Sequence, residues 1–132
     1  MFMLDTDICI YIIKKKPQKV FEKLQRLQTG DLAMSVITFA ELMNGAKKSL
    51  RIKENTNKLE ELAEILEIKP FDKNAAIAYG DIRSNLEKKG MIMGSNDMLI
   101  ASHALSLDWI LVTNNEKEFK RVKGLKIENW TK

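Results

Sequence analysis

Short apolar runs and amphipathic stretches take turns along the chain, and that alternation predicts strands separated by helices. "FMLD" at residues 2–5 is a continuous apolar run ending in an acid, which suits a short buried strand. "DICIYIIKKK" follows with helical character, and Asp7 or Thr6 is expected near its start as a cap. Pro17 opens a further helix in which Val20, Phe21, Leu24 and Leu27 recur at helical spacing, and Gly30 is expected to close it. "LAMSV" reads as a strand, "ITFAELMNGAKKS" and "NKLEELAEILE" as helices, and "EIKPF" as a short strand ending at Pro70. "DKNAAIAYGDIRSNLEKKG" is a capped helix closed by Gly90. "SNDMLIASHALSL" is the next helix, with Ser95 or Asn96 as its expected cap. "WILVT" carries the strongest strand signal, and "LKIENW" closes with a last short strand. Strands alternating with helices imply an α/β layer fold with a mostly parallel sheet and helices on both faces. Ligands in such sheets bind beyond the carboxyl ends of the strands.

Composition narrows the class. A chain of 132 residues suits one domain, residues 1–132, around one core. No stretch approaches the roughly 20 apolar residues of a membrane helix. The N-terminus lacks a basic start and is interrupted by Asp5 and Asp7, unlike a signal peptide, so the cytoplasm is the expected compartment. The lone Cys9, inside "ICIYII", is expected to be a small core residue. Net charge is +4, a mild bias toward a polyanionic partner. The cations clump at Lys14–Lys16, Lys47–Lys48, Lys88–Lys89 and Lys120–Arg121, near predicted helix ends, where lysines favour C-termini.

Four acids fall where such a fold places its site. Asp5 follows the first strand. Glu41 stands among the apolar Phe39, Ala40, Leu42 and Met43. Asp97 lies in the first turn of its helix, and Glu118, accompanied by Asn115, follows "WILVT". Each has a plain structural role open to it, as a turn acid, helix-start acid or solvated side chain. Converging, they would differ: two carboxylates about 4 Å apart repel by roughly 4 kcal/mol at an effective dielectric of 20. A hard divalent cation removes that cost, and oxygen ligands without a His or Cys cluster favour Mg²⁺, with Mn²⁺ as substitute, over zinc. Asp5 and Asp7 also admit a second reading, as nucleophile and acid/base of a haloacid-dehalogenase-type phosphatase. "WILVTNNEKEF" lacks the later acidic pair that such an enzyme needs, and the chain leaves little room for a cap domain. His103, in the apolar "SHAL", is expected to be a hydrogen-bonded packing residue rather than a general base.

"MLDT", "ITFAEL", "GSNDMLIASHALSL" and "LVTNNEKEF", in this order and spacing, resemble the PIN-domain ribonucleases, and within them the VapC toxins of toxin–antitoxin pairs. The resemblance implies a three-layer PIN-like fold. It also implies a Mg²⁺-dependent endoribonuclease that leaves a 5′-phosphate and a 3′-hydroxyl, and it makes initiator tRNA the leading substrate. It assigns catalytic roles to Asp5, Glu41, Asp97 and Glu118. Asp5 and Asp97 would bind the metal, with Glu41, Glu118 and Asn115 acting through water. Thr6, Asp7, Ser95, Asn96, Thr113 and Asn114 are second-rank candidates for the metal's water or a phosphate. The implied partners are a VapB-type antitoxin, operator DNA through that antitoxin alone, and a second copy of the chain in a homodimer joined into larger assemblies. Two departures stand out. Relatives usually carry Asn where Asp7 stands, and many carry Asp directly after "VT", where this chain has Asn114 and Asn115. A non-catalytic nucleic-acid-binding protein that keeps the fold is the remaining alternative, and retention of all four acids argues against it.

Overall fold

A computed structural model describes residues 1–132. Five short strands are joined by helices in the order β1 (Phe2–Leu4), α1 (Thr6–Lys14), α2 (Gln18–Gln25), β2 (Leu32–Ser35), α3 (Val36–Lys47), α4 (Ile52–Ile65), β3 (Glu67–Lys69), α5 (Lys73–Lys88), α6 (Ser95–Leu107), β4 (Ile110–Val112), α7 (Glu116–Phe119) and β5 (Lys126–Glu128). The strand order is β3-β2-β1-β4-β5, and every neighbouring pair is parallel. The expected mostly parallel sheet is thus parallel throughout.

β1 lies at the centre, and its two buried residues face opposite ways, as a pleated strand requires. Leu4 packs with Ile8, Met34 and Val112 in one core, beneath α1, α3 and α4. Met3 packs with Leu111, Ile82 and Ile100 in the other, beneath α5 and α6. Covering both faces is what an all-parallel sheet needs. Each such side chain contributes about 1.5–3 kcal/mol by leaving water. A one-residue slip of β1 would exchange Met3 and Leu4 between the two cores, so packing fixes the register that sets Asp5 at the strand end. From β1 the chain builds outward to β2 and β3 on one side and to β4 and β5 on the other. The crevice between the carboxyl ends of β1 and β4 is therefore the switch point, where open α/β sheets bind ligands.

Several local boundaries differ from the sequence reading. The cap of α1 is Asp5, whose carboxylate accepts from the Thr6 N–H at 2.8 Å; Thr6 and Asp7 already lie inside the first turn. Asp5 keeps extended φ and ψ and the chain turns helical from Thr6, so the acid that ends β1 also starts α1. α6 has Gly94 in the cap position with no side-chain cap, so neither Ser95 nor Asn96 plays that part. α2 stops at Gln25, and Gly30 lies instead in a single 3-10 turn at Thr29–Asp31, just before β2. Cys9 is fully buried as expected, and burial raises its thiol pKa. His103 is buried against the edge of Phe71, with Nδ1 2.8 Å from the Ser35 hydroxyl, which fits the packing role.

Candidate active site

The crevice collects side chains from five elements of the fold. Asp5 is brought by the end of β1, Thr113 by the end of β4, Glu41 by the second turn of α3, and Asp97 by the first turn of α6. The short α7 brings Glu118. The Asp5 N–H donates to the Val112 carbonyl at 2.9 Å, which extends the β1–β4 ladder and locks the two strand ends together.

A continuous run of hydrogen bonds links the acids. Glu118 accepts from the Asn115 side-chain amide at 2.9 Å, and the Asn115 N–H donates to the Thr113 hydroxyl at 3.0 Å. Thr113 in turn donates to Asp5 Oδ2 at 2.7 Å, while Asp5 Oδ1 accepts from the Thr6 N–H. The Thr6 hydroxyl donates to Glu41 Oε1 at 2.6 Å, and Glu41 Oε2 accepts from Asn96 Nδ2 at 3.3 Å. Asp97, next to Asn96, lies beside Glu118. Thr6 and Thr113 thus have their hydroxyls committed to carboxylates rather than free for a phosphate. Ser95, exposed at the start of α6, makes no side-chain hydrogen bond to these acids.

Charge inside this cluster is poorly balanced. Asp5 is only 5% exposed, and burial followed by the Asp7 charge pushes its carboxyl up to about 7. Asp97 is pushed up to about 6 by burial, by the neighbouring Glu118 carboxyl and by Glu41. Asp7 is raised too, mainly by burial, although it accepts from the Ile8 N–H at 2.8 Å and the Asn114 N–H at 3.3 Å. None of these five acids forms an ion pair with a Lys, Arg or His; the salt bridges all lie elsewhere. Several carboxylates in one crevice without a cation is a costly arrangement.

No three His, Cys, Asp or Glu side chains converge closely enough to enclose an ion by themselves. The expected tight meeting of the acids is therefore looser than the sequence reading supposed. The donor set nevertheless suits a hard divalent cation. It offers only oxygens, it carries excess negative charge, and Mg²⁺ typically takes one or two carboxylates and keeps several waters. Asp5 and Asp97, whose carboxyls are raised to about 7 and about 6, could hold such an ion directly, with Glu41, Glu118 and Asn115 near enough to act through water.

Sequence reasoning missed four contributors. Thr38, fully buried, has its hydroxyl 3.4 Å from that of Thr6. Its position one helical turn before Glu41 was the available signal. Tyr11, Asn129 and Thr131 hold the Asn114 side chain, at 3.3, 3.3 and 3.0 Å. Nothing local in the sequence links the C-terminal "NWT" to residue 114.

Beside the acids runs a groove of about 300 Å³ between α1, α3 and α4. Thr6 and Glu41 stand at one end, and Ile10, Ile13, Leu42 and Leu59 form its apolar wall.

A doubly covered parallel sheet with an acid cluster at its switch point defines a carboxylate-centred α/β protein of the nuclease type. The PIN-domain family model matches residues 2–125. The chain is 45% identical to Ribonuclease VapC2 of Rickettsia felis, covering 100% of this chain and 99% of that one. It is 43% identical to the tRNA(fMet)-specific endonuclease VapC of Salmonella typhimurium, over 98% of this chain and 97% of that one. The fold superposes on VapC in the solved DNA-bound VapBC complex of Salmonella typhimurium with a TM-score of 0.93 at 43% identity, covering 98% of this chain and 97% of that one. The promoter-bound VapBC2 complex of Rickettsia felis gives 0.91 at 44%, covering 98% of each chain. The chain belongs to the PIN-domain family, in its VapC ribonuclease branch.

Proposed function

We propose that this protein is a VapC-type endoribonuclease that hydrolyses an RNA phosphodiester bond with Mg²⁺ held by Asp5 and Asp97. The observation that carries the reading is the run of hydrogen bonds that ties Asp5, Glu41 and Glu118 together at the β1–β4 switch point, with Asp97 beside Glu118, raised Asp5 and Asp97 carboxyls and no protein cation. A bound Mg²⁺ would supply charge neutralisation at the phosphate and a lowered pKa for a water. The chain's own side chains do the rest. Thr113 and the Thr6 N–H fix both oxygens of Asp5, so its carboxylate cannot swing. Thr6 and Asn96 fix those of Glu41, which leaves that acid placed to orient the attacking water. Asn115 steers Glu118 toward Asp97. Asp7 adds negative charge beside Asp5 and so tightens the demand for a cation.

Similarity to a tRNA(fMet)-specific endonuclease makes initiator tRNA the leading substrate. The test is to sequence RNA ends after brief expression and to repeat cleavage with purified protein. The expected result is Mg²⁺-dependent cuts at one or a few tRNA positions, with 5′-phosphate and 3′-hydroxyl ends. Intact RNA after incubation with folded protein and Mg²⁺ would sink the reading. It would favour the non-catalytic alternative.

The same reading includes inhibition by a VapB-type antitoxin, as the VapBC complexes among the solved relatives suggest. The groove joins an apolar wall to the Glu41 end of the acid cluster, which suits an extended segment with apolar side chains and a terminal guanidinium. Deleting the C-terminal segment of the antitoxin encoded beside this chain is expected to abolish inhibition of cleavage. Full inhibition by the shortened antitoxin would show that it blocks the toxin elsewhere.

A further inference from the structure

The chain's positive charge is concentrated in one short segment. Residues 14–26 hold six cations, Lys14, Lys15, Lys16, Lys19, Lys23 and Arg26, against one acid, Glu22; the whole chain nets only +4. All six cations are exposed, and none is in a salt bridge. The single acid is engaged by Gln18 Nε2 at 3.0 Å.

The geometry of α2 gives this charge a direction. Val20 and Leu24 of α2, with Leu27 just beyond it, are in or against the core. Lys19, Lys23 and Arg26 recur at i, i+4 and i+7 and therefore share one exposed face, about 100° round the helix from the core side. That face, with Glu22 beside it, and the C-terminal Asn129, Trp130 and Lys132 line a cavity of about 190 Å³. Asn129 donates to the Asn114 side chain at 3.3 Å, and the Asn114 N–H donates to Asp7 at 3.3 Å. Two residues thus separate the basic face from the acid cluster. A polyanion reaching the acids must be held by charge of the opposite sign nearby, because the acids themselves repel phosphate. Lys19 to Arg26 spans about 10 Å of helix, enough to follow about three nucleotides of one strand at about 3.4 Å each.

We propose that the basic face of α2, through Lys19, Lys23 and Arg26, holds the phosphate backbone of the RNA substrate beside the acid cluster and sets its affinity rather than its turnover. The inference rests on the ribonuclease reading above and adds the surface that recruits the substrate.

The test replaces Lys19, Lys23 and Arg26 with Gln together. A control variant loses the same charge on α5 and its end, at Lys73, Lys88 and Lys89. Binding to unfractionated tRNA is measured against salt in an Asp97→Asn background, which keeps the RNA intact. Cleavage is measured in the otherwise native protein, and melting curves verify the fold of each variant. The expected result is that the slope of log affinity on log salt becomes shallower by about 2 to 3. KM should rise about tenfold, the scale expected for losing a few phosphate contacts, with kcat within about twofold of wild type. The control should change neither. Each single substitution should give about a third of the change in slope, which covers the case of a triple variant that folds poorly. An unchanged slope, or the same change in the control, overturns the proposal. So does a loss of affinity confined to a DNA duplex of similar length, which would make DNA the occupant. Cleavage by the wild-type protein tests the ribonuclease reading separately from the slope, so the two can fail independently.

Discussion

Asp97→Asn is expected to lower Mg²⁺-dependent RNA cleavage by at least about a hundredfold while leaving the fold intact. Asn nearly preserves the shape of Asp but removes the charge that a cation would need. Asp97 is half-buried in the first turn of α6, beside Glu118, and its carboxyl is already raised to about 6. Losing it relieves that crowding, so the metal-free variant should melt no lower than wild type. The two measurements that matter are single-turnover cleavage across a Mg²⁺ titration and the shift in melting temperature that Mg²⁺ produces. Wild type should gain stability with Mg²⁺, and the variant should gain little. A variant that cleaves at the wild-type rate would mean that the ion, or the chemistry, is held elsewhere.

Asp5→Asn should separate activity from stability more sharply. Asn caps helices as well as Asp does, and its oxygen can still accept from the Thr6 N–H. Cleavage should nevertheless fall at least as far as for Asp97→Asn. The folded protein binds the Asp5 proton more tightly than the unfolded chain, because burial and Asp7 raise this carboxyl from 3.8 to about 7. Between about pH 4 and pH 7 the folded state therefore carries more protons, and the stability of the metal-free wild type falls as pH rises. Above about pH 7 the loss is complete. Asn removes this dependence, so at pH 8 in chelator the variant should melt at least about 5 °C above wild type. Melting curves from pH 4.5 to 8 decide the matter: parallel curves for the two proteins would mean that Asp5 does not titrate as described. Asp7→Asn restores the residue that the family resemblance leads one to expect. It removes one of the charges acting on Asp5, so it should keep cleavage with a shifted Mg²⁺ requirement.

What the sequence disclosed was mostly local. Periodicity placed the strands and helices, and an acid among Phe39, Ala40, Leu42 and Met43 marked Glu41 as unusual before any contact was known. The cap of α1, expected at Asp7 or Thr6, falls at Asp5 because capping is decided by backbone angles. Asp5 is extended, with φ −68° and ψ 163°, and takes the cap; Asp7 is already helical. The polar frame was harder still. Thr6 meets Glu41 across 35 positions, and Thr113 meets Asp5 across 108. Such pairings depend on strand order, which hydrophobic pattern alone does not encode. The hold of Tyr11, Asn129 and Thr131 on Asn114 was invisible for the same reason.

The strand order also has a consequence for synthesis. By residue 97 a growing chain has already acquired Asp5, Glu41 and Asp97, yet the face of β1 that β4 must pair with is still empty. Thr113 cannot hold Asp5, nor can Glu118 approach Asp97, until the last fifth of the chain has emerged and β4 has docked on the free edge of β1, to which β5 then adds. A site built as proposed above is therefore complete only once β4 has paired with β1. A product cut short before β4 is expected to be inert rather than partly active, because Thr113 and Glu118 are missing from it.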